Sequence, residues 1–425
     1  MTDQNSANHL VDHLFRQESG KMVSVLINIF GSEHLELAED VVQSTLIKAL
    51  ENWKFNGPPE NPQAWLYRVA KNEAIDIIRK ERRSSQFDFS DPEHQLLTSE
   101  YTLNTTMDQF WKEDQIKDDF LGMMFACCHP DISSEAQVTF ILKTLCGFST
   151  KEVAKAFLTS EDIISKRIYR TKEHFRKNNI RPTLSSVNDI ETKVSAVASA
   201  IYLIFNEGYN STNHEKLIRQ DLISQALYLS KELLSNQKTN LPEINAMMAL
   251  MCFHSARTDS RTSVQGEIIL LKDQDRSQWN QELIEAGQYY LAESSNGERI
   301  SMYHFEAMIA FEHCLAKDFE STQWDRILHH YDQMLEIQYD PVIYLNRCLV
   351  VVQVLGPRKA LQEIKKLDTN TAMEKYYLYH AALAEIFTLL KDHELAVFHC
   401  EKAIELTQSE REKNLLRRKL NALRI

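Results

Sequence analysis

Two stretches of this chain combine cations, flat rings and an apolar stripe in a way that suits nucleic acid. In residues 64–83, AWLYRVAKNEAIDIIRKERR, the cations Arg68, Lys71, Arg79, Lys80, Arg82 and Arg83 accompany the rings of Trp65 and Tyr67. Cations track phosphates and rings stack on unpaired bases, so the mixture fits single-stranded DNA. The same periodicity also describes a solvated amphipathic helix. In residues 149–177, Ser149 stands three residues before Glu152, the spacing of a capping box. A short LTS turn follows. Ser160 can then cap a second helix whose first turn holds Glu161 and Asp162. Val153, Ala154, Phe157, Ile164, Ile168 and Phe175 would form a shared core. Ser165, Lys166, Arg167, Arg170 and Lys172 would then point outward, as in a helix-turn-helix whose second helix enters a major groove. Plain helical hairpins share this outline.

Other constellations carry less. Cys127, Cys128 and His129 are adjacent, with no second distant ligand pair of the kind a zinc site uses, so no metal is expected there. A buried helix start before Pro130 is the preferred reading, with a redox sensor as the alternative. His304, His313, His329 and His330 lack the spacing of a ligand set and are expected as core or surface histidines. Three polar segments, NEGY at 206–209, HSAR at 254–257 and DQDRSQW at 273–279, sit in apolar surroundings. A ligand or acid–base site would unite Asn206, Glu207, His254, Asp273, Asp275, Arg276 and Trp279. The blander expectation is a buried polar network that locks helices together. No phosphate-loop, zinc-protease or nucleophile-elbow motif is present, and neither an enzyme nor a cofactor is expected.

The elements that must position these residues are helices. In 425 residues there are only 10 Gly and 9 Pro, too few for the turns of a sandwich, barrel or Rossmann domain. Apolar spacing is helical over 10–30 and 35–53, and FNGPPENP at 55–62 breaks it before the first basic segment. Residues 84–119 hold two lysines against nine acids, a local net of −7, and read as an acidic linker, mobile or laid over a neighbour. Helices are expected near 133–145, 149–156 and 160–177, a boundary at RPTLSSVND, then helix after helix to the end. The pair YYLYHAALAEIFTLLKD and HELAVFHCEKAIELT has small residues, Ala381, Ala384, Ala396 and Ala403, at the close-packing positions of a tetratricopeptide-like repeat. The fold class is therefore all-α. The formal net charge of −12 confines any nucleic-acid contact to local patches. No apolar run is long enough to span a membrane, and the seven Cys read as reduced thiols of a cytoplasmic protein.

The order of the two basic segments around an acidic spacer makes residues 10–180 resemble a bacterial sigma factor of the extracytoplasmic-function type. AEDVVQSTLIKALENW at 38–53 is similar to the region 2 helix that clamps RNA polymerase; NPQAWLYRVAKNEAIDIIRKERR is similar to the helix that reads and melts the −10 element. SSEAQVTFILKTLCGFSTKEVAKAFLTSEDIISKRIYRTKEHFRK resembles region 4, which reads −35. FACCHP, AIYLIFNEGYNST, LLKDQDRSQWNQELI and PVIYLNRCLVVV resemble the long helical and tetratricopeptide-like extension of one subgroup. The expected division is region 2 at 1–83, the linker at 84–119, region 4 at 120–182, a helical extension at 186–290 and repeats at 291–425.

The resemblance implies core RNA polymerase and promoter DNA as partners. It implies −35 contacts from Ser165, Lys166, Arg167 and Arg170, with Lys172 and Arg176 on the backbone. It also implies −10 contacts from the loop residues Phe55, Asn56 and Glu60 and from Trp65, Arg68, Lys71, Asn72, Arg79, Arg82 and Arg83. The Asn72 amide both donates and accepts, which suits a base edge. Polymerase docking falls to Glu39, Asp40, Val42, Gln43, Ser44 and Leu46. The extension is expected to regulate in cis by contacting region 2 or 4, or to bind a protein or peptide partner. The alternative function is a helical-repeat scaffold without transcriptional activity.

Overall fold

A computed structural model describes residues 14, 18–30, 34–81, 97, 99–178, 190–211, 217–263, 265–297, 300–367 and 372–424. Among them every regular element is helical, and the sole β pairing is an isolated bridge between Thr262 and Ile268. The all-α expectation is met. The chain forms two compact units, Met1–Ile204 and Phe205–Ile425. Arg82, Arg83 and the RPTLSSVND stretch lie outside the described residues.

In the first unit, α1 (18–30) is followed by α2 (Leu35–Asn56). The latter buries Ala38, Val41, Val42, Leu46, Ala49 and Trp53, a helical stripe. It ends where Gly57 takes φ 71°, the left-handed region that glycine enters without steric cost. Pro62 opens α3 (Pro62–Glu81) at a position needing no donor, and Asn61 caps it by accepting from the Ala64 amide at 2.9 Å. Trp53 and Trp65 meet edge to face at 5.4 Å, joining the two helices.

The acidic spacer is more ordered than its composition suggests. It contains α4 (Glu100–Phe110) and the start of α5 (Glu113–Ala126). Leu103, Met107 and Phe110 recur at helical spacing and are buried, which anchors α4 against α3 despite the surrounding acids. Next comes α6 (Ser134–Phe140), continuing as a π turn, Ile141–Leu145. Then follow α7 (Thr150–Ala156) and α8 (Glu161–Lys177), close to the expected spans. A Cβ on Gly20 of α1 would lie 1.5 Å from the Leu145 carbonyl oxygen, so only glycine lets these two backbones touch.

The helix Ile190–Tyr209 (α9) carries the chain into the second unit. There, α10 (Gln220–Ser235) precedes α11 (Pro242–Ala256), which is buried on every side from Ile244 to Phe253 and acts as the central post. Against it pack α12 (Gln281–Glu293) and α13 (Met302–Leu315), and α14 (Trp324–Ile337) packs in turn on α13. Two helical hairpins follow, α15 (Pro341–Leu355) with α16 (Pro357–Ile364), and α17 (Tyr377–Leu389) with α18 (His393–Leu406). A last helix, α19 (Glu410–Leu423), packs on α18. Ala384, Ala396 and Ala403 are buried between these last helices, where small side chains permit close approach.

Candidate nucleic-acid interface

On α3, Arg68, Asn72 and Arg79 share an exposed face, with Arg79 3.7 Å from Asp76. Phe55 is 81% exposed at the end of α2, with the Lys54 ammonium 5.7 Å from its ring centre, and Asn56 and Glu60 are exposed beside it. An uncovered ring next to cations is the equipment of a base-stacking platform. Two members of the expected set are otherwise engaged. Trp65 is half-buried against Trp53, and Lys71 is held by Asp108 of α4 at 2.5 Å. Tyr67 meets Trp111 at a tilt, ring centres 5.5 Å apart, and donates to Glu18. The acidic spacer thus places one of its carboxylates where a phosphate would bind.

The expected docking face of α2 needs correction. Val42 and Leu46 are core residues, 2% and 5% exposed, so no partner can reach them. Ser44 faces α3, donating to Glu73 at 3.1 Å, where Lys48 also binds at 2.7 Å. The outward stripe consists of Asp40, Gln43, Ile47 and Leu50, of which Ile47 and Leu50 are exposed apolar residues that the sequence pattern did not single out. Glu39 pairs with Lys172 of α8 at 2.7 Å, so α2 and the second basic helix touch.

On α8, the capping box of Ser149 and Glu152 forms at the start of α7, and Ser160 accepts from the Ile163 amide to open α8. The intervening Leu158 takes φ 49° while the Thr159 amide reaches back to the Ala154 carbonyl, a tight helix stop in a conformation that disfavours side chains. Ser165, Lys166, Tyr169 and Arg170 are exposed on one face, as a groove reader requires. Arg167 is not among them. Its guanidinium pairs with Glu135 at 2.7 Å, donates to Thr139 Oγ1 at 3.1 Å and lies over the Phe157 ring, tying α8 to α6 and α7. Lys172 is likewise turned inward to Glu39, and Arg176 is exposed beside Glu173. A groove of about 470 Å³ runs between α6 and α8, floored by Lys166, Arg167 and Arg170. At its rim, His129, Asp131 and His174 bring ligand-type atoms within 4.8 Å of one another. Cys127 and Cys128 are buried, and burial pushes the Cys128 thiol up to about 12, away from thiolate reactivity.

In the second unit the polar segments are spent largely on structure. Asn206 is half-buried, and Glu207 accepts from Ser211 at 2.9 Å. Asp273 and Asp275 are exposed, and Asp275 caps a short turn through Ser277. Arg276 donates to the carbonyls of His313 and Ala316 at 2.6 and 2.8 Å and lies beside Trp279, which is buried. His254 meets Tyr209 at 5.0 Å, and Arg257 donates to the Tyr209 hydroxyl at 2.8 Å, so NEGY and HSAR do converge. Burial, reinforced by Arg257 and Arg261, holds the His254 imidazole well below its ordinary range, neutral. These residues supply no nucleophile or acid–base pair.

Comparison with known proteins follows this geometry. A model described as sigma-70 region 2 matches residues 14–84, the segment that holds α1, α2 and α3. A second, described as a family of unknown function (DUF6596), matches 193–295. The uncharacterized protein R00370 of Rhizobium meliloti (strain 1021) is 31% identical over 347 residues, covering 82% of this chain and 80% of its own. No solved structure matches the chain. The stretch whose helices α2 and α3 join through Trp53 and Trp65 thus matches sigma-70 region 2, and over most of its length the chain belongs to one family with R00370.

Proposed function

We propose that the protein is an alternative sigma factor of the extracytoplasmic-function type, which recruits core RNA polymerase to its promoters. On this reading α3 and the loop before it engage −10, and α8 reads −35. The observation that carries it is the pairing of a sigma-70 region 2 with a second basic helix whose exposed face holds Ser165, Lys166, Tyr169 and Arg170. Duplex −35 needs groove-edge donors, and melted −10 needs rings and cations; the two helices divide along that line.

The proposal extends to regulation. Glu39 of the docking helix pairs with Lys172 of α8, and Asp108 occupies Lys71, so the free protein holds its own carboxylates on both basic helices. Polymerase and DNA would have to displace them. The C-terminal unit, with its tetratricopeptide-like hairpins, is assigned a regulatory role, in cis or through a protein partner. Run-off transcription with core polymerase tests the reading: initiation from a subset of genomic promoters supports it, and failure on every template ends it. Truncation after Ile180 tests the regulatory part, since a fully active and equally stable fragment would remove cis control.

A further inference from the structure

The second unit holds a cavity of about 790 Å³ between the end of α12 and the helices α13 and α14, well within the roughly 300–1,000 Å³ of small-molecule sites. Its walls are mainly apolar, with Leu291, Ile300, Met308 and Phe311 contributing. Two residues of its lining each hold a buried polar atom without a hydrogen-bond partner among the described residues, Glu312 Oε2 and His330 Nδ1. Glu312 is only 6% exposed. Its other oxygen accepts from Arg326 at 3.2 Å. His304, in the same lining, is already satisfied by Ser301 and Ser294. A carboxylate oxygen sunk beside hydrocarbon is costly unless a donor reaches it, and the adjoining cavity is large enough to hold a molecule that carries one.

The lining also specifies what kind of donor. Glu312 and Asp325 stand against one guanidinium, Arg326, leaving the mouth with an excess of negative charge. Burial holds the His330 ring below its ordinary range, so it adds no cation at neutral pH. A hydrated metal ion would find too few oxygen ligands and too much hydrocarbon. A donor carried on an apolar body satisfies both halves of the cavity.

We propose that this cavity binds a small apolar amine, its ammonium group on the Glu312 carboxylate and its hydrocarbon or aromatic body against Met308, Phe311 and Leu291. The site would give the C-terminal unit a chemical input of its own. The inference does not depend on the sigma-factor reading, since it concerns binding alone.

The test is calorimetric titration of the full-length protein with phenethylamine, tryptamine and octylamine, each compared with its isosteric alcohol. At least one amine should bind saturably, about tenfold more tightly than its alcohol, as a charge-assisted hydrogen bond requires. Glu312→Gln should erase that preference. Met308→Trp, which fills the cavity without touching the carboxylate, should abolish binding of amine and alcohol alike while the helical circular dichroism is retained. It keeps the proposal testable if Glu312→Gln fails to fold. No binding by any of the amines, equal binding of amine and alcohol, or amine binding unchanged by Met308→Trp would each overturn it.

Discussion

Three cations of the first unit and two of the second are held in different ways. In the first, Lys71, Arg167 and Lys172 each meet a carboxylate supplied by another helix: Asp108, Glu135 and Glu39. In the second, Arg276 is satisfied by the carbonyls of His313 and Ala316, and Arg261 lies 3.6 Å over the Tyr209 ring. A carboxylate is an anion that a phosphate can replace, so the first arrangement is exchangeable. Backbone carbonyls and ring faces have no such competitor, so the second is a fastening. The same residue types therefore form exchangeable pairs at Lys71 and Lys172 and fastenings at Arg276 and Arg261.

Arg276→Ala should break this contrast most visibly. It removes the donor from two helix-end carbonyls and is expected to cost about 3 kcal/mol in urea denaturation. A loss below about 1 kcal/mol would mean that the arginine is not a fastening.

The histidines of that unit extend the point to pH. Burial holds His313 down at about 3, from an ordinary value of 6.5. Because the folded state resists protonation, its contribution is complete above pH 6.5 and is lost as pH falls from there toward 3. About 2 kcal/mol should disappear by pH 5, and His313→Gln should flatten that part of the stability–pH curve. A parent protein equally stable at pH 7 and pH 5 would contradict the assignment.

Within the first unit, Arg167 and Lys166 are neighbours with opposite expected fates. Arg167→Ala should lower stability by about 1–2 kcal/mol through the lost contacts to Glu135 and Thr139. Lys166→Ala should leave stability within about 0.5 kcal/mol yet weaken −35 duplex binding by about 1–3 kcal/mol if it reads a base. Equal footprints for Lys166→Ala and the parent would remove α8 as the reader. The smallest effect belongs to Asp108→Asn. Freeing Lys71 should steepen the salt dependence of single-stranded −10 binding by about 0.7 in log–log slope, one phosphate contact, with little change in melting temperature. An unchanged slope would show that Asp108 does not compete with nucleic acid.

Much of the architecture was legible because helical periodicity and capping are local signals. The scarcity of glycine and proline, the break at FNGPPENP and the Ser149–Glu152 box all act within a few residues, and the helices of the first basic region and the α7–α8 pair fall where those signals put them. What was not legible depends on partners remote in sequence. Arg167 and Lys172 looked outward on a helical wheel, since nothing nearby announces Glu135 or Glu39. On α2, Leu46 and Ile47 are adjacent and equally apolar, and only packing against α3 decides that the first is buried and the second exposed. Helix α4 was hidden because its three buried anchors are outnumbered by the acids around them. His304, His329 and His330 have no ligand-like spacing, yet α13 and α14 bring them to one cavity.

The contact between Gly20 and the Leu145 carbonyl has a consequence for biosynthesis. Helix α1 is translated well before the surface it packs on. Until the π turn emerges, the apolar side of α1 that meets it stays open, and the segment matching sigma-70 region 2 is incompletely packed. Such a long-range closure slows folding and leaves hydrophobic surface exposed during translation. It also means that a chain ending before Leu145 lacks the seat on which α1 packs.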